Sequence, residues 1–141
     1  MTTSTYQLRA FGLVLVLTAF SSGLEIFTPF HNLPPRSLLD YYQLIKNPQS
    51  LKGIQKRVRG IHGRNPPTWI TDFQSWDAFE HEISFIWRNA KEYNEDGSEI
   101  FELASELEVR LYCSRVIERI MADNATTDIL QATACPREIT G

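Results

Sequence analysis

Apolar side chains recur at spacings of three and four between Phe73 and Ala90: Phe73, Trp76, Phe79, Ile83, Ile86, Trp87 and Ala90. This period predicts a helix with one broad apolar stripe, leaving its outer faces to Asp77, Glu80, Glu82, Arg88, Lys91 and Glu92. A second stripe follows in Ile100, Phe101, Leu103, Ala104, Leu107, Leu111, Val116, Ile117 and Ile120, with Glu99, Glu102, Glu106, Glu108 and Arg110 largely on the polar side. The polar turn Asn94-Glu95-Asp96-Gly97 separates them, so two helices over 75–121 must lie nearly antiparallel. Neither stripe can be buried alone, and the chain upstream has to supply the other half of a bundle.

Upstream, Ser50 caps a helix running to Arg59, with Leu51, Ile54 and Val58 inward and Lys52, Gln55, Lys56, Arg57 and Arg59 toward water. Ser75 caps the next helix, and Gly60 to Thr71, with Gly63, Pro66 and Pro67, reads as a surface link. From Phe27 to Pro48 the pattern becomes an ordered connector. Pro29, Pro34, Pro35 and Pro48 interrupt regular helix, while Phe27, Phe30, Leu33, Leu38, Leu39, Tyr41, Tyr42, Leu44 and Ile45 are too apolar for a solvent loop. Loops of this length are uncommon inside compact domains and usually have a functional reason. Leu39 to Lys46 reads as one or two helical turns, with Asp40 as cap and Ile45 and Tyr41 or Tyr42 facing inward.

Residues 1–26 admit two readings. One is an atypical, apolar first helix from about Thr5 to Glu25, buried against the stripes; the other is a signal-like segment built on Phe11 to Phe20. The apolar run is shorter than the roughly 20 residues of a membrane span. Residues 27–121 then form the core and 122–141 a polar, mobile tail. Asn124-Ala125-Thr126 fits the glycosylation triplet, which matters only on export. The expected class is all-α, four helices with a long loop between the first and second.

Composition narrows function mainly by exclusion. The chain has 141 residues, 43% apolar and 22% charged, which suits one folded domain. Its formal charge of −3 has the wrong sign for a phosphate-neutralising surface, so no direct grip on nucleic acid is expected, nor a membrane. Cys113 and Cys135 form neither a metal spacing nor a disulfide framework, and Cys113 reads as a small core residue in a reduced compartment. His31, His62 and His81 stand apart, with no helical partner at i+4, and Gly60 and Gly63 lack the lysine and hydroxyl of a phosphate loop. Nothing assembles an acid, a base and an oxyanion site, so neither an enzyme nor a cofactor is expected. A binding site remains. The connector and the turn at Asn94 meet at one end of an up-and-down bundle, and an uncharged amide suits recognition of another amide. Taken alone, Asn94 also suits an ordinary helix-end role, because asparagine satisfies local backbone groups.

Three blocks, Asp40-Tyr41-Tyr42 through Asn47-Pro48-Gln49-Ser50-Leu51, Trp76-Asp77-Ala78-Phe79, and Asn89-Ala90-Lys91-Glu92-Tyr93-Asn94 through Ile100, together resemble a bromodomain. Phe30-His31-Asn32-Leu33-Pro34 resembles the variant found in polybromo and fungal chromatin-remodeller subunits. The resemblance implies a left-handed four-helix bundle that binds acetylated lysine, commonly on histone tails, in the nucleus and alongside other subunits of a remodelling complex. It further implies that Asn94 donates to the acetyl carbonyl and that Tyr41 holds the same carbonyl through a water. Phe30 would form a wall, Leu33, Pro34 and Leu38 the channel, Ala90 and Tyr93 the floor and side, and Ile100 the entrance. The chain departs from the family at Leu39, commonly proline, at Gln49, commonly apolar, at Ser50, commonly aspartate, and in a longer link after Gly60. A bromodomain-fold interaction module without acetyl-lysine binding is the alternative, with Trp69 among its contacts.

Overall fold

The computed structural model describes residues 27–123, with side chains through Val116. The expected first helix or signal-like segment, the polar tail, the glycosylation triplet and Cys135 lie outside the described residues. A 3-10 turn, Thr28–Phe30, is followed by helices α1 (Leu39–Leu44), α2 (Leu51–Arg59), α3 (Trp76–Tyr93) and α4 (Glu99–Asp123), with no strand among the described residues. The fold is all-α and four-helix, and the short piece inside the connector is a helix in its own right.

Each long helix starts where a hydroxyl can meet open amides. Ser50 accepts from the Gly53 N–H at 3.1 Å and Ser75 from the Ala78 N–H at 3.1 Å, both at extended backbone. In the turn after Tyr93, Gly97 takes φ +80°, the Ser98 N–H reaches the Glu95 carbonyl, and Ser98 Oγ accepts from the Phe101 N–H. The chain therefore reverses within five residues. Ion pairs confirm the direction: Lys91, near the end of α3, meets Glu108 at 2.6 Å, while Asp77 and Glu80, near its start, meet Arg115 further along α4. α3 and α4 run antiparallel, and α2 packs against α3.

The core gathers Phe79, Ile83, Ile86, Trp87 and Ala90 from α3, Ala104, Leu107 and Leu111 from α4, and Leu51, Ile54 and Val58 from α2, closed by Phe27, Phe30 and Phe73. These are inner positions of the stripes expected from periodicity, except that Ile100, expected among them, is exposed at 37%. Each large aliphatic or aromatic side chain fully removed from water contributes about 1.5–3 kcal/mol, so the α3 stripe anchors the fold.

The link 60–75 is tied down rather than loose. Gly60 adopts a left-handed conformation at the end of α2, and carbonyls freed there are taken up in turn: Lys56 by Ile61 N–H, Arg57 by Gly60 and Asp72 N–H, Arg59 by Trp69 N–H, and Gly60 by Thr68 N–H and Oγ1. A Cβ on Gly60 would stand 2.1 Å from Thr68 Oγ1 and 2.2 Å from the Ile70 carbonyl oxygen. Glycine is therefore required there both for backbone conformation and for space.

Three local expectations change, and one departure from the family finds its partners. Asp40 does not cap α1; Leu38 is the capping position without a side-chain bond, and Asp40 instead accepts from Tyr93 across the fold. Leu33, Leu39 and Leu44 are exposed although the connector reads as apolar, because Phe27, Phe30, Tyr41 and Ile45 already fill its inner side. Cys113 is half-buried and disulfide-bonded rather than a free core thiol. Gln49 stands where the family buries an apolar side chain, and it is half-buried by pairing with polar groups: its amide donates to Glu82 at 2.9 Å, and Glu82 also meets Arg57 at 3.2 Å.

Candidate binding site

Three tyrosines converge where the connector meets the end of α3. α1 turns Tyr41 inward, and its ring lies 5.0 Å from that of Tyr93 and 5.2 Å from that of Tyr42, edge to face in both cases. Such edge-on pairs add about 0.5–1.5 kcal/mol beyond area burial. The Tyr93 hydroxyl donates to Asp40 at 2.8 Å, which ties α1 to α3, and the Tyr42 hydroxyl donates to the Pro34 carbonyl at 2.5 Å, which ties α1 to the proline pair.

Asn94 follows Tyr93 directly and ends α3. Its backbone N–H and its side-chain Nδ2 both donate to the Ala90 carbonyl, at 3.0 and 2.8 Å. The helix-end role open to an asparagine is thus filled, and filling it orients the amide. A primary amide carries two hydrogens on nitrogen and an acceptor oxygen, so one N–H and Oδ1 remain beyond the bond to Ala90. Asn94 is half-buried.

The remaining residues expected at the site divide by depth. Phe30 and Ala90 are each 7% exposed and belong to the core cluster, with the Phe30 ring 6.5 Å from that of Phe27. Pro34 and Leu38 are half-buried in the connector, whereas Leu33 and Ile100 are exposed, at 40% and 37%. The structure packs Tyr41 against Tyr93, bonds Asn94 to Ala90, and puts Phe30 and Ala90 in one core cluster.

Two positioning groups were not anticipated. Asn89 is a buried polar residue whose Nδ2 donates to the Asn47 carbonyl at 2.7 Å, fastening the end of the connector to α3. The sequence did carry a signal: Asn89 lies three residues after Ile86 and beside Ala90, so it falls in register with an apolar stripe, and a polar residue there must find a partner. The second is Asp40, whose helix-cap expectation hid its bond to Tyr93.

Burial raises the Tyr41 pKa above its usual value, with Tyr42 and Tyr93 adding to the effect. The Tyr93 pKa is also raised, first by its hydrogen bond to the Asp40 carboxylate. All of this keeps both phenols protonated at neutral pH, so the ring cluster presents neutral hydroxyls. No group of His, Cys, Asp and Glu among the described residues could hold a metal, and no described helix is long and apolar enough to cross a membrane.

The sequence model of the family described as Bromodomain matches residues 20–106. The chain belongs to the bromodomain family. Among curated proteins it is 40% identical over 88 residues to chromatin structure-remodeling complex subunit RSC2 of Saccharomyces cerevisiae, covering 62% of this chain and 8% of that protein. It is 30% identical over 81 residues to subunit rsc1 of Schizosaccharomyces pombe, covering 57% of this chain and 9% of that protein, and 30% identical over 83 residues to subunit snf21 of the same yeast, covering 58% and 6%. The chain thus spans a tenth or less of the length of these relatives. A solved bromodomain from human BAZ1A superposes with a TM-score of 0.63 at 19% identity, over 80% of this chain and 94% of that one, a likeness of fold. The bromodomain is a non-catalytic reader module, similar to those of fungal chromatin-remodelling subunits.

Proposed function

We propose that this bromodomain reads acetylated lysine on histone tails, with Asn94 donating its remaining amide hydrogen to the acetyl carbonyl and Tyr41 reaching that oxygen through a water. The observation that carries the reading is Asn94 itself: half-buried, oriented by Ala90, and next to the tyrosine whose ring packs on Tyr41. Among the described residues neither the Tyr41 hydroxyl nor Asn94 Oδ1 has a hydrogen-bond partner, and in this reading a ligand and a bridging water supply them. A water linking two such groups and a carbonyl is enthalpically close to a direct bond. Leu33, Pro34 and Leu38 line the acyl chain's path, Ala90 and Tyr93 form the inner side, Phe30 backs it, and Ile100 stands at the mouth.

Charge selects the modified side chain. An ammonium would have to shed its water against neutral phenols and an amide, without a carboxylate inside to compensate, whereas an acetylated lysine offers a methyl and an amide. Outside, Glu92, Glu95, Asp96, Glu99 and Glu102 are exposed around the turn, which favours the cationic residues of a histone tail. One side chain of this kind supports modest affinity, and a nuclear remodelling assembly, as the named relatives suggest, would add avidity through its other subunits.

Asn94→Ala tests the reading directly. Titration with singly and multiply acetylated histone peptides should lose binding by about two orders of magnitude, the worth of a buried, charge-free hydrogen-bond site and its orphaned partner, while the helical circular dichroism is kept. Undiminished binding by the variant would overturn the assignment. A second reading, an interaction module of this fold without acetyl-lysine affinity, draws on Phe30 lying in the core and on the Asn94 amide already serving Ala90; it predicts that no acetylated peptide binds the unaltered chain.

A further inference from the structure

The end of the connector is held on α3 at two points, one of them a charge remote from the binding site. Asn89 donates to the Asn47 carbonyl at 2.7 Å, and Gln49 donates through Nε2 to Glu82 Oε2 at 2.9 Å. Glu82 and Asn89 are seven residues apart, so they share one face of the helix, two turns and about 10 Å from each other. Residues 47 and 49 span about 7 Å when extended, and the Gln49 side chain reaches the rest of the way. The two bonds therefore fix where residues 47–49 lie along α3.

The Gln49 bond is part of a connected set. Gln49 is half-buried over the first turn of α2, where a Cβ on Gly53 would stand 3.6 Å from its Oε1. An amide so placed needs an acceptor, and a carboxylate is a strong one. Glu82 is itself held, because the same Oε2 accepts from Arg57 Nη1 at 3.2 Å. The Arg57 guanidinium lies 4.5 Å from the centre of the Phe73 ring, which packs edge-on against the fully buried Phe79 at 5.5 Å. Contacts thus run from the core through Phe73, Arg57 and Glu82 to the connector. An apolar side chain at position 49, common in the family, would make no use of Glu82; the glutamine gives this chain a polar fastening.

We infer that Glu82 is a positioning residue for the acetyl-lysine site, acting through Gln49. Glu82 precedes Asn94 by twelve residues, about 18 Å along α3, so its effect has to travel through the connector. Asn47 stands two residues before Gln49, and its partner Asn89 adjoins Ala90, whose carbonyl accepts from both the N–H and the side-chain Nδ2 of Asn94. Two residues before Asn47, Ile45 closes α1 by donating to the Tyr41 carbonyl at 2.8 Å. Freeing Gln49 lets residues 45–49 shift on α3, and α1 carries Tyr41 with them relative to Asn94. The Arg57 pair is partly exposed and contributes little by itself; it keeps the carboxylate in place. This inference rests on the acetyl-lysine reading and deepens it.

The test titrates one singly acetylated histone peptide against the full 141-residue chain and three variants, at a temperature where each is folded. Under that condition a loss of stability alone leaves the affinity unchanged. Affinity should fall about three- to tenfold in Glu82→Ala and in Gln49→Ala, the worth of one hydrogen bond and its orphaned partner. It should stay near that of the unaltered chain in Glu82→Gln, whose amide oxygen still accepts from Gln49. In the free chain the Asn94 side-chain amide resonance should move in Glu82→Ala and return in Glu82→Gln. Gln49→Ala decides the matter if Glu82→Ala fails to fold. If the unaltered chain binds and both alanine variants bind equally well, this inference alone is overturned. A loss that Glu82→Gln does not recover, or an unmoved Asn94 resonance, overturns it too. An unaltered chain that binds no acetylated peptide overturns the acetyl-lysine reading and this inference with it.

Discussion

The two irregular segments, 27–50 and 60–75, hold their shapes by different means. The first is fastened mainly by side chains that reach far along the sequence, Asn89 to Asn47, Tyr93 to Asp40 and Gln49 to Glu82, with Tyr42 bonded to Pro34 inside the segment. The second is fastened by backbone amides that cap the carbonyls at the end of α2, around Gly60. Side-chain fastening leaves the tyrosines of the connector packed against the end of α3. Backbone fastening makes a compact knuckle that can hold Trp69 outward.

That contrast predicts which substitutions act on stability and which on binding. The largest effect belongs to Gly60→Ala. The left-handed backbone and the approach of Thr68 and Ile70 together should cost about 3 kcal/mol or more, seen as a lowered denaturant midpoint, while any protein still folded should titrate normally with acetylated peptide. If affinity falls with stability unchanged, the two segments are not separable. Next is Asn89→Ala, which orphans the Asn47 carbonyl and should cost about 1–3 kcal/mol; because the connector loosens, peptide affinity should fall as well, by isothermal titration. An intact affinity would mean that the connector holds its shape without this bond.

Tyr41→Phe is the mildest. It removes one hydroxyl from a water-mediated contact, so acetyl-peptide affinity should weaken several-fold, by about 1 kcal/mol, rather than vanish. The same variant has an alkaline signature. Because the folded Tyr41 pKa is raised, the unfolded chain loses this proton first, near its ordinary value of about 10; stability is fully present below that pH and falls as pH climbs through the folded value. Tyr41→Phe should flatten this alkaline decline in thermal melts and remove a late component from the phenolate absorbance titration. A decline as steep as that of the unaltered chain would place the alkaline sensitivity elsewhere, with Tyr93 the next candidate.

Much of the scaffold was legible because local rules and packing agree there. Phe79, Ile83, Ile86 and Ala90 repeat at helical spacing and are buried; Ser50 and Ser75 precede open amides and cap them. The candidate site could be read only through the blocks resembling a known family, since Tyr41 and Asn94 are far apart in sequence and neither alone is distinctive. Misreadings fell where one residue had a local and a distant option. Asp40 has cap chemistry, yet its carboxylate serves Tyr93. Leu39 and Leu44 look like core residues, yet a six-residue helix has one inner side and Tyr41 occupies it.

The sequence by itself determined helices α2 to α4, the caps at Ser50 and Ser75, the reversal after Tyr93 and the family, because periodicity and capping depend on neighbours within a turn or two. Tertiary structure decided which polar groups pair across the fold, that Asn89 carries the connector, that Asn94 is oriented by Ala90, and that Trp69 faces water on a strained backbone. Those outcomes depend on distances between segments dozens of residues apart, and chain pattern carries no such distances until the core has closed.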